Sequence, residues 1–289
     1  MFDCGHARNP IEIRSRMTSI SCIIVCYNNE QYIGHAIESV LSQTKPLDEI
    51  IIADDCSTDR SREIILSYAN NYSVICPVLR EKNLGVGANR DLAIRNSNAN
   101  IITALDGDDW YYPDKIEKEY LALRENNVVA YSDISLMHNE YEQVGCWNMS
   151  GFPGADIHKR LKWITLRKPP IPTHMMLPKK VYEESGGMKH NVNLYEDWDF
   201  KIRLSGLPYK WVYSGTTGMA YRQKKGGLSS AHLLKHLAAQ LHTLQYNKDL
   251  LLQHYGQHGY TYILTATILR IVKRTPKRIF KAAIQKLTH

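Results

Sequence analysis

The chain is short of everything that marks an exported or membrane-spanning protein. Its six cysteines, Cys4, Cys22, Cys26, Cys56, Cys76 and Cys146, form no CxxC pair. Cys22, Cys26 and Cys76 fall in apolar runs, where a reduced thiol packs as a small hydrophobe. That usage suits a reducing, cytoplasmic compartment. The opening stretch MFDCGHARNPIEIRSRM holds no apolar core such as a signal peptide needs. No run reaches the roughly 18 apolar residues of a spanning helix. Internal repeats and low-complexity tracts are also missing.

Negative charge is lacking at one end. No Asp or Glu follows Asp249, whereas Arg270, Lys273, Arg274, Lys277, Arg278, Lys281 and Lys286 are all positive. With those seven set aside, the remaining 29 basic residues balance the 29 acidic ones, so the net charge of +7 belongs to the tail. A nucleic-acid-binding face across the body therefore finds no support. In the tail, apolar residues from Ile263 to Leu287 alternate with the seven cations, broken by Pro276. Two readings fit: an amphipathic helix at an anionic membrane surface, worth about 1 kcal/mol per basic residue, or a helix packed on the body with a solvated basic face. Aromatic interleaving for base stacking is nearly absent there, which argues against an RNA-binding tail.

What is present is a globular chain, 289 residues at 44% hydrophobic content, long enough to bury a full core. SISCIIVCY (19–27) reads as a buried strand, and Ile33, Ala36, Ile37, Val40 and Leu41 give the following segment a helical apolar spacing. EIIIADDCSTD is a second buried strand ending in acids, after which Ser57 and Asp59 are candidate caps for a helix carrying Ile64, Ile65 and Tyr68. VICPVLR is a third strand, NLGVGANRDLAIRNS a glycine loop entering a helix, NIITALDGDD a fourth strand and VVAYSDISLM a fifth. Strands alternating with helices imply a parallel sheet whose ligands bind beyond the carboxyl ends of the strands. Residues 146–180, rich in Pro, Gly and Trp, read as an irregular segment that shapes a substrate site. VYEESGGM looks like a helix ending at Gly186 and Gly187, and YEDWDFKIRLSGL like a helix opening with acids. From Ala231 onward the pattern is helical and Leu-rich.

The strand ending ITALDGDDWYYPDK (101–114) crowds Asp106, Asp108 and Asp109 at its mouth. Carboxylates that close repel unless a cation sits between them. Mg²⁺ or Mn²⁺ would do so, and would also take phosphate oxygens as ligands. The alternative is an acidic turn that caps the next helix through Asp109 or Asp114.

SISCIIVCYNNEQYIGHAIESVLSQT, EIIIADDCSTDRSREI, NLGVGANRDLAIRNSNANIITALDGDDWYYPDKIEKE and LYEDWDFKIRL resemble, in order and spacing, the glycosyltransferase family 2 type with the GT-A fold. The resemblance covers about residues 18–225. It implies an α/β fold: a Rossmann-like, mostly parallel nucleotide-sugar-binding catalytic domain over 18–225, followed by a basic helical extension over 226–289. It also implies inverting transfer of a sugar from a nucleotide-diphosphate donor, commonly a UDP-sugar, to a hydroxyl of a glycan or lipid-linked glycan in cell-surface polysaccharide or lipopolysaccharide synthesis.

By position, Tyr27 resembles the aromatic that packs on the base and Asp55 the acid that hydrogen-bonds it. Asp106 resembles the acid near ribose and metal, Asp108 the more direct metal ligand, and Asp109 a supporting or helix-capping residue. Arg90 matches a diphosphate-proximal arginine, with a surface salt bridge as its alternative. Asp197 matches the general base on the acceptor side that inversion requires, beside Glu196, which orients the site or binds acceptor; otherwise the two charge a helix N-terminus. YRQKKGGLS (221–229) resembles a late loop over the diphosphate. It carries Lys224 and Lys225 where relatives often show histidine, which leaves Arg222 or a lysine to meet the diphosphate. His174 is a candidate lining residue of the acceptor pocket, or a structural histidine. The rival from another class is a non-catalytic protein that keeps the fold and binds nucleotide sugars or glycans.

Overall fold

The computed structural model describes residues 19–123, 128–189, 194–223 and 233–274. Four strands build the nucleus: β1 (Ile20–Cys26), β2 (Glu49–Asp54), β3 (Ile75–Leu79) and β4 (Ile101–Asp106). They lie parallel in the order β3-β2-β1-β4, and β8 (Leu177–Pro178) closes the β4 edge antiparallel. Every residue of β1 is buried, as expected of a central strand covered on both faces. The crossovers are α1 (Ile33–Leu41), α2 (Ser61–Asn71) and α3 (Val86–Asn96). α1 buries Ile33, Ala36, Ile37 and Val40 on one stripe.

Register sets the site. Cys26 pairs with Asp54 and Val25 with Asp106, so acids of β2 and β4 flank the end of β1. Cys76, expected in the interior, is exposed, because β3 pairs only with β2 and is an edge strand.

A second sheet runs in the order β5-β9-β6-β7, made of β5 (Trp110–Tyr111), β6 (Val128–Met137), β7 (Gln143–Trp147) and β9 (Lys210–Arg222). α4 (Lys115–Ala122) packs against β9 and β6. The stretch expected to be irregular contains β7 and a true helix, α5 (Ile157–Thr165). Asp156 caps α5 by accepting the Lys159 N–H at 2.9 Å, and Leu161 and Ile164 are buried. α6 (Lys179–Glu184) ends at Gly186 and Gly187, both at positive φ. α7 (Glu196–Gly206) opens with its acids. The expected caps of α2 act differently: Asp59 accepts from the Ser61 N–H at 3.0 Å, whereas Ser57 accepts from the Asn28 N–H at 2.9 Å and ties two loops together.

Two helices end the described chain, α8 (Leu233–Tyr246) and α9 (Lys248–Arg274), the latter kinked at Gly256. They dock on the body. The Tyr195 hydroxyl meets His236 Nδ1 at 2.9 Å, Asn247 Nδ2 donates to Asp199 Oδ1 at 2.7 Å, and Arg270 donates to the Leu166 carbonyl and, at 2.9 Å, to Gln240 Oε1. α9 buries Tyr260, Ile263, Thr267 and Ile271 on one stripe and exposes Tyr262, Ile268 and Leu269. Among the described residues no helix is long and apolar enough to cross a membrane. Lys277, Arg278, Lys281 and Lys286 lie outside the described residues, as do Lys224 and Lys225.

Candidate active site at the carboxyl edge

Tyr27 follows β1 and is half exposed, as a stacking platform must be. Asp54, fully buried, is a fastening point: it accepts from the Ser57 N–H at 3.0 Å and from Arg62 Nε at 2.8 Å. Asp55 turns the other way. Its two oxygens accept the Leu84 and Gly85 N–H groups at 2.8 and 2.9 Å, which fixes the entry to α3. Carboxylate oxygens have lone pairs to spare, so this clamp is compatible with a further donor.

The DGDD turn is folded tightly. Gly107 passes beneath β1 with its N–H on the Val25 carbonyl at 2.8 Å, and a Cβ there would stand 2.9 Å from that same oxygen. The Asp109 N–H bonds back to the Asp106 carbonyl at 3.0 Å, so Asp109 tucks inward. Its Oδ1 accepts the Arg222 N–H at 2.8 Å, and its Oδ2 lies 4.0 Å from His174 Nε2. Asp106 Oδ2 is 3.6 Å from that nitrogen, and its Oδ1 is paired with Arg90. Asp106, Asp109 and His174 thus converge as a three-ligand cluster, and Asp108, half buried on the same turn, is not part of it.

His174 is held from three directions. Its Nδ1 is 2.8 Å from the Ala104 carbonyl, which makes Nδ1 the protonated nitrogen and turns the Nε2 lone pair toward the carboxylates. Its own carbonyl accepts from Lys115 Nζ at 3.1 Å and from Thr103 Oγ1 at 3.5 Å. Its φ is +48°, unusual for a residue with a side chain. Burial pushes its pKa down to about 4 despite the pull of Asp106, so the ring is neutral at pH 7. Burial alone would raise Asp106, but the Arg90 guanidinium and then the imidazole outweigh it and keep the carboxyl ionised. Two carboxyl groups and an imidazole lone pair converging on one point offer an oxygen and nitrogen donor set of the kind that holds a divalent cation. The donor set therefore fits a metal.

Glu196 and Asp197 begin α7, which α5 positions through Trp198 Nε1 donating to the Ile164 carbonyl at 2.8 Å. Gly87 lets α3 approach, since a Cβ there would meet Glu196 Cγ at 2.7 Å. Asp197 is half exposed and pairs with Lys201 Nζ at 3.1 Å. Burial would raise its pKa, but Lys201 and then Arg167 overcome that and hold it below the usual aspartate value. Burial wins at Glu196, whose pKa is raised.

Arg222, expected near a diphosphate, has its guanidinium engaged elsewhere. It is 7% exposed, lies over the rings of Tyr32 and Trp110 at 4.4 and 4.9 Å, and donates to the Asp108 carbonyl at 3.0 Å and to Glu140 Oε1 at 3.4 Å. It latches the end of β9 onto the DGDD turn.

The sequence pattern of glycosyl transferase family 2 matches residues 21–185, more than half of the chain. A putative teichuronic acid biosynthesis glycosyltransferase of Bacillus subtilis, TuaG, is 35% identical over 119 residues, covering 41% of this chain and 47% of its own. The glycosyltransferase GlyA of Streptococcus pneumoniae is 26% identical over 224 residues, 73% of this chain and 31% of its own. The chain thus spans less than half the length of these two relatives. Among solved structures, residues 1–349 of Staphylococcus aureus TarS superpose with a TM-score of 0.68 at 16% identity, over 89% of this chain and 73% of that one. The same protein in complex with UDP gives 0.64 at 16% identity, over 87% and 71%. At such identity the likeness is one of fold.

Proposed function

Because the chain belongs to glycosyl transferase family 2, we propose that it is an inverting glycosyltransferase that moves a sugar from a nucleotide-diphosphate donor to a hydroxyl of a glycan or lipid-linked glycan, in cell-surface polysaccharide synthesis. The observation that carries this reading is the placement of Asp197 on the same cavity as Arg90 and His174, the two residues that face Asp106 of the DGDD turn. Tyr27 stacks on the base, and Asp55 accepts a base N–H. A uridine nucleotide is the favoured donor, supported by the UDP complex of the TarS fold relative. Arg90 neutralises charge between Asp106 and the diphosphate.

Asp106, Asp109 and His174 would hold a divalent cation, Mn²⁺ or Mg²⁺, with Asp108 on the same turn outside that cluster. When bound it supplies charge neutralisation for the departing diphosphate. Asp197 takes the proton of the attacking hydroxyl on the opposite face of the sugar, and Lys201 keeps that carboxylate ionised and oriented. Arg222 acts from behind the turn rather than on the donor. The work site is the cytoplasmic face of a membrane, with the basic tail beyond Arg270 attracted to anionic lipid.

The test is a panel of UDP-, GDP- and dTDP-sugars with Mn²⁺, with or without EDTA, reading slow donor hydrolysis. One donor is expected to turn over, with EDTA abolishing the signal. Absence of both turnover and nucleotide binding would favour the non-catalytic reading.

The same assay reports the base. A base works ionised, so the rate falls as pH drops through its pKa in the complex. With Asp197 as base, whose pKa is lowered, kcat stays level from pH 8 to about 5. A midpoint above the ordinary carboxylate range would transfer the role to Glu196. Arg222→Lys keeps the main-chain bond to Asp109 but loses the planar fork and the ring stack. It is expected to weaken the apparent Mn²⁺ affinity by about tenfold or more, read by titrating Mn²⁺ against hydrolysis. Unchanged affinity would reduce Arg222 to a packing residue.

A further inference from the structure

The contacts that dock α8 and α9 on the body fall on the segments around Asp197. Tyr195 stands at the start of α7, where its carbonyl accepts the Asp199 N–H at 2.8 Å, and its hydroxyl reaches not into the helix but out to α8. Four residues on, Asp199 is fully buried and accepts from Asn247 Nδ2 at 2.7 Å. From α9, Arg270 donates to the carbonyl of Leu166, the residue before Arg167. The Arg167 guanidinium lies over the rings of Tyr195 and Trp198, at 4.6 and 5.4 Å, which stand on either side of the Glu196–Asp197 pair. Burial works to raise the Asp197 pKa, and Lys201 and then Arg167 more than offset it, so the charge held by these rings bears on the base.

The hydrogen bonds among these anchors run in one direction. Arginine offers only donors, so Arg270 Nη2, 2.9 Å away, turns Gln240 Oε1 toward itself. The other end of that amide, Nε2, then donates to the Tyr195 hydroxyl at 2.9 Å. The tyrosine proton is left for His236 Nδ1, also at 2.9 Å. Tyr195 and Gln240 are 8% and 5% exposed, so a bond lost here strands a buried polar group. The first turn is where a helix frays most readily, and Asp197 occupies it. Fastenings at Tyr195 ahead of it and at Asp199 behind it hold that turn still.

We propose that Tyr195 and Arg270 are positioning residues for the base: through Gln240 and the Leu166 carbonyl, the last two helices hold Asp197 and Arg167 in place at the site. The proposal rests on the glycosyltransferase reading above and deepens it, because it gives the C-terminal helices, which lie beyond the residues matched by the family pattern, a part in the reaction.

The test uses the full chain. Tyr195→Phe keeps the ring against Arg167 and removes only the hydroxyl. Its kcat for donor hydrolysis is expected to fall by about tenfold, with UDP affinity by titration within about twofold. In an Asp197→Asn background, followed with radiolabelled donor, the same substitution is expected to cost nothing further, because a residue that acts through another has no effect once the other is removed. A purely structural role would lower both backgrounds alike. Amide exchange read by mass spectrometry supplies an arm that needs no activity: Tyr195→Phe and Arg270→Met are each expected to speed exchange over residues 196–200 by about threefold or more while residues 20–26 of β1 stay protected. The proposal is overturned if Tyr195→Phe leaves kcat unchanged, if its loss is the same with and without the Asp197 carboxylate, or if exchange over 196–200 does not respond. Absence of hydrolysis by the unsubstituted chain would count against the glycosyltransferase reading, and the exchange arm would then decide the clamp by itself.

Discussion

Replacing Asp197 by Asn lowers donor turnover by about 10²- to 10⁴-fold, the usual contribution of a positioned general base, and leaves nucleotide affinity within about twofold. The substitution conserves shape and removes only the capacity to take a proton. Lys201 loses its charged partner but keeps an amide oxygen within reach, and α7 keeps Glu196 and Asp199 in its first turn, so the fold is expected to survive. Nucleotide binding is insulated because Tyr27 and Asp55 belong to the ends of β1 and β2, whereas Asp197 opens α7. Steady-state rates set beside UDP titration separate the two quantities. A loss of affinity equal to the loss of rate would mean that Asp197 holds the donor rather than the acceptor's proton.

The second large effect is on stability. Lys115 and Glu119 are both fully buried and pair at 2.6 Å one turn apart on α4. Lys115 also donates to the His174 carbonyl and lies 4.4 Å over the Tyr111 ring, while Glu119 Oε1 accepts from Ser132 Oγ at 2.7 Å. Burial raises the Glu119 pKa, and Lys115 only partly offsets it. Lys115→Met strands that carboxyl and is expected to cost about 3–5 kcal/mol, lowering Tm by roughly 6–20 °C. Adding Glu119→Leu should restore much of the loss, since a buried pair replaced by apolar groups is often close to neutral. A double-mutant cycle by thermal unfolding reads the coupling, and simple additivity would show that the two charges do not depend on each other. His174 makes the pair relevant to the site: the double variant is expected to recover Tm but not full metal affinity, because the His174 carbonyl has lost the shorter of its two donors.

Much of this architecture could be read from residue patterns because the central strands are buried on both faces. SISCIIVC and EIIIAD have few polar residues, and no competing period obscures them. The acids at strand ends were visible for the same reason: a carboxylate after such a run has only the sheet edge to occupy. Other features depended on turns. Asp109 rather than Asp108 enters the three-ligand cluster because the Asp109 N–H bonds back to Asp106, and no spacing rule encodes that bond. His174 stood out only as one histidine in a proline-rich stretch; its positive φ and its grip by Ala104 and Lys115 arise from segments about 60 to 70 positions away. α5 was missed because Pro and Gly around it suggested irregularity, although Asp156 followed by Leu161 and Ile164 carried a cap and a buried stripe. Arg222 was assigned by its neighbourhood in the chain, and only packing reveals the two rings that hold it.

Helix α3 joins two parts of the site that the chain treats separately. Its entry is pinned at Gly85 by Asp55, and five residues later Arg90 reaches Asp106. At about 1.5 Å of rise per residue, this length of helix is a ruler some 7.5 Å long between the acid assigned to the base and the acid assigned to the metal. A ruler tolerates changes in the material around it but not in its count of divisions. Inserting one residue between Gly85 and Arg90 would swing the arginine about 100° around the axis and away from Asp106. The interval from 85 to 90 therefore admits no change in length, and substitution only away from Gly85, Gly87 and Arg90.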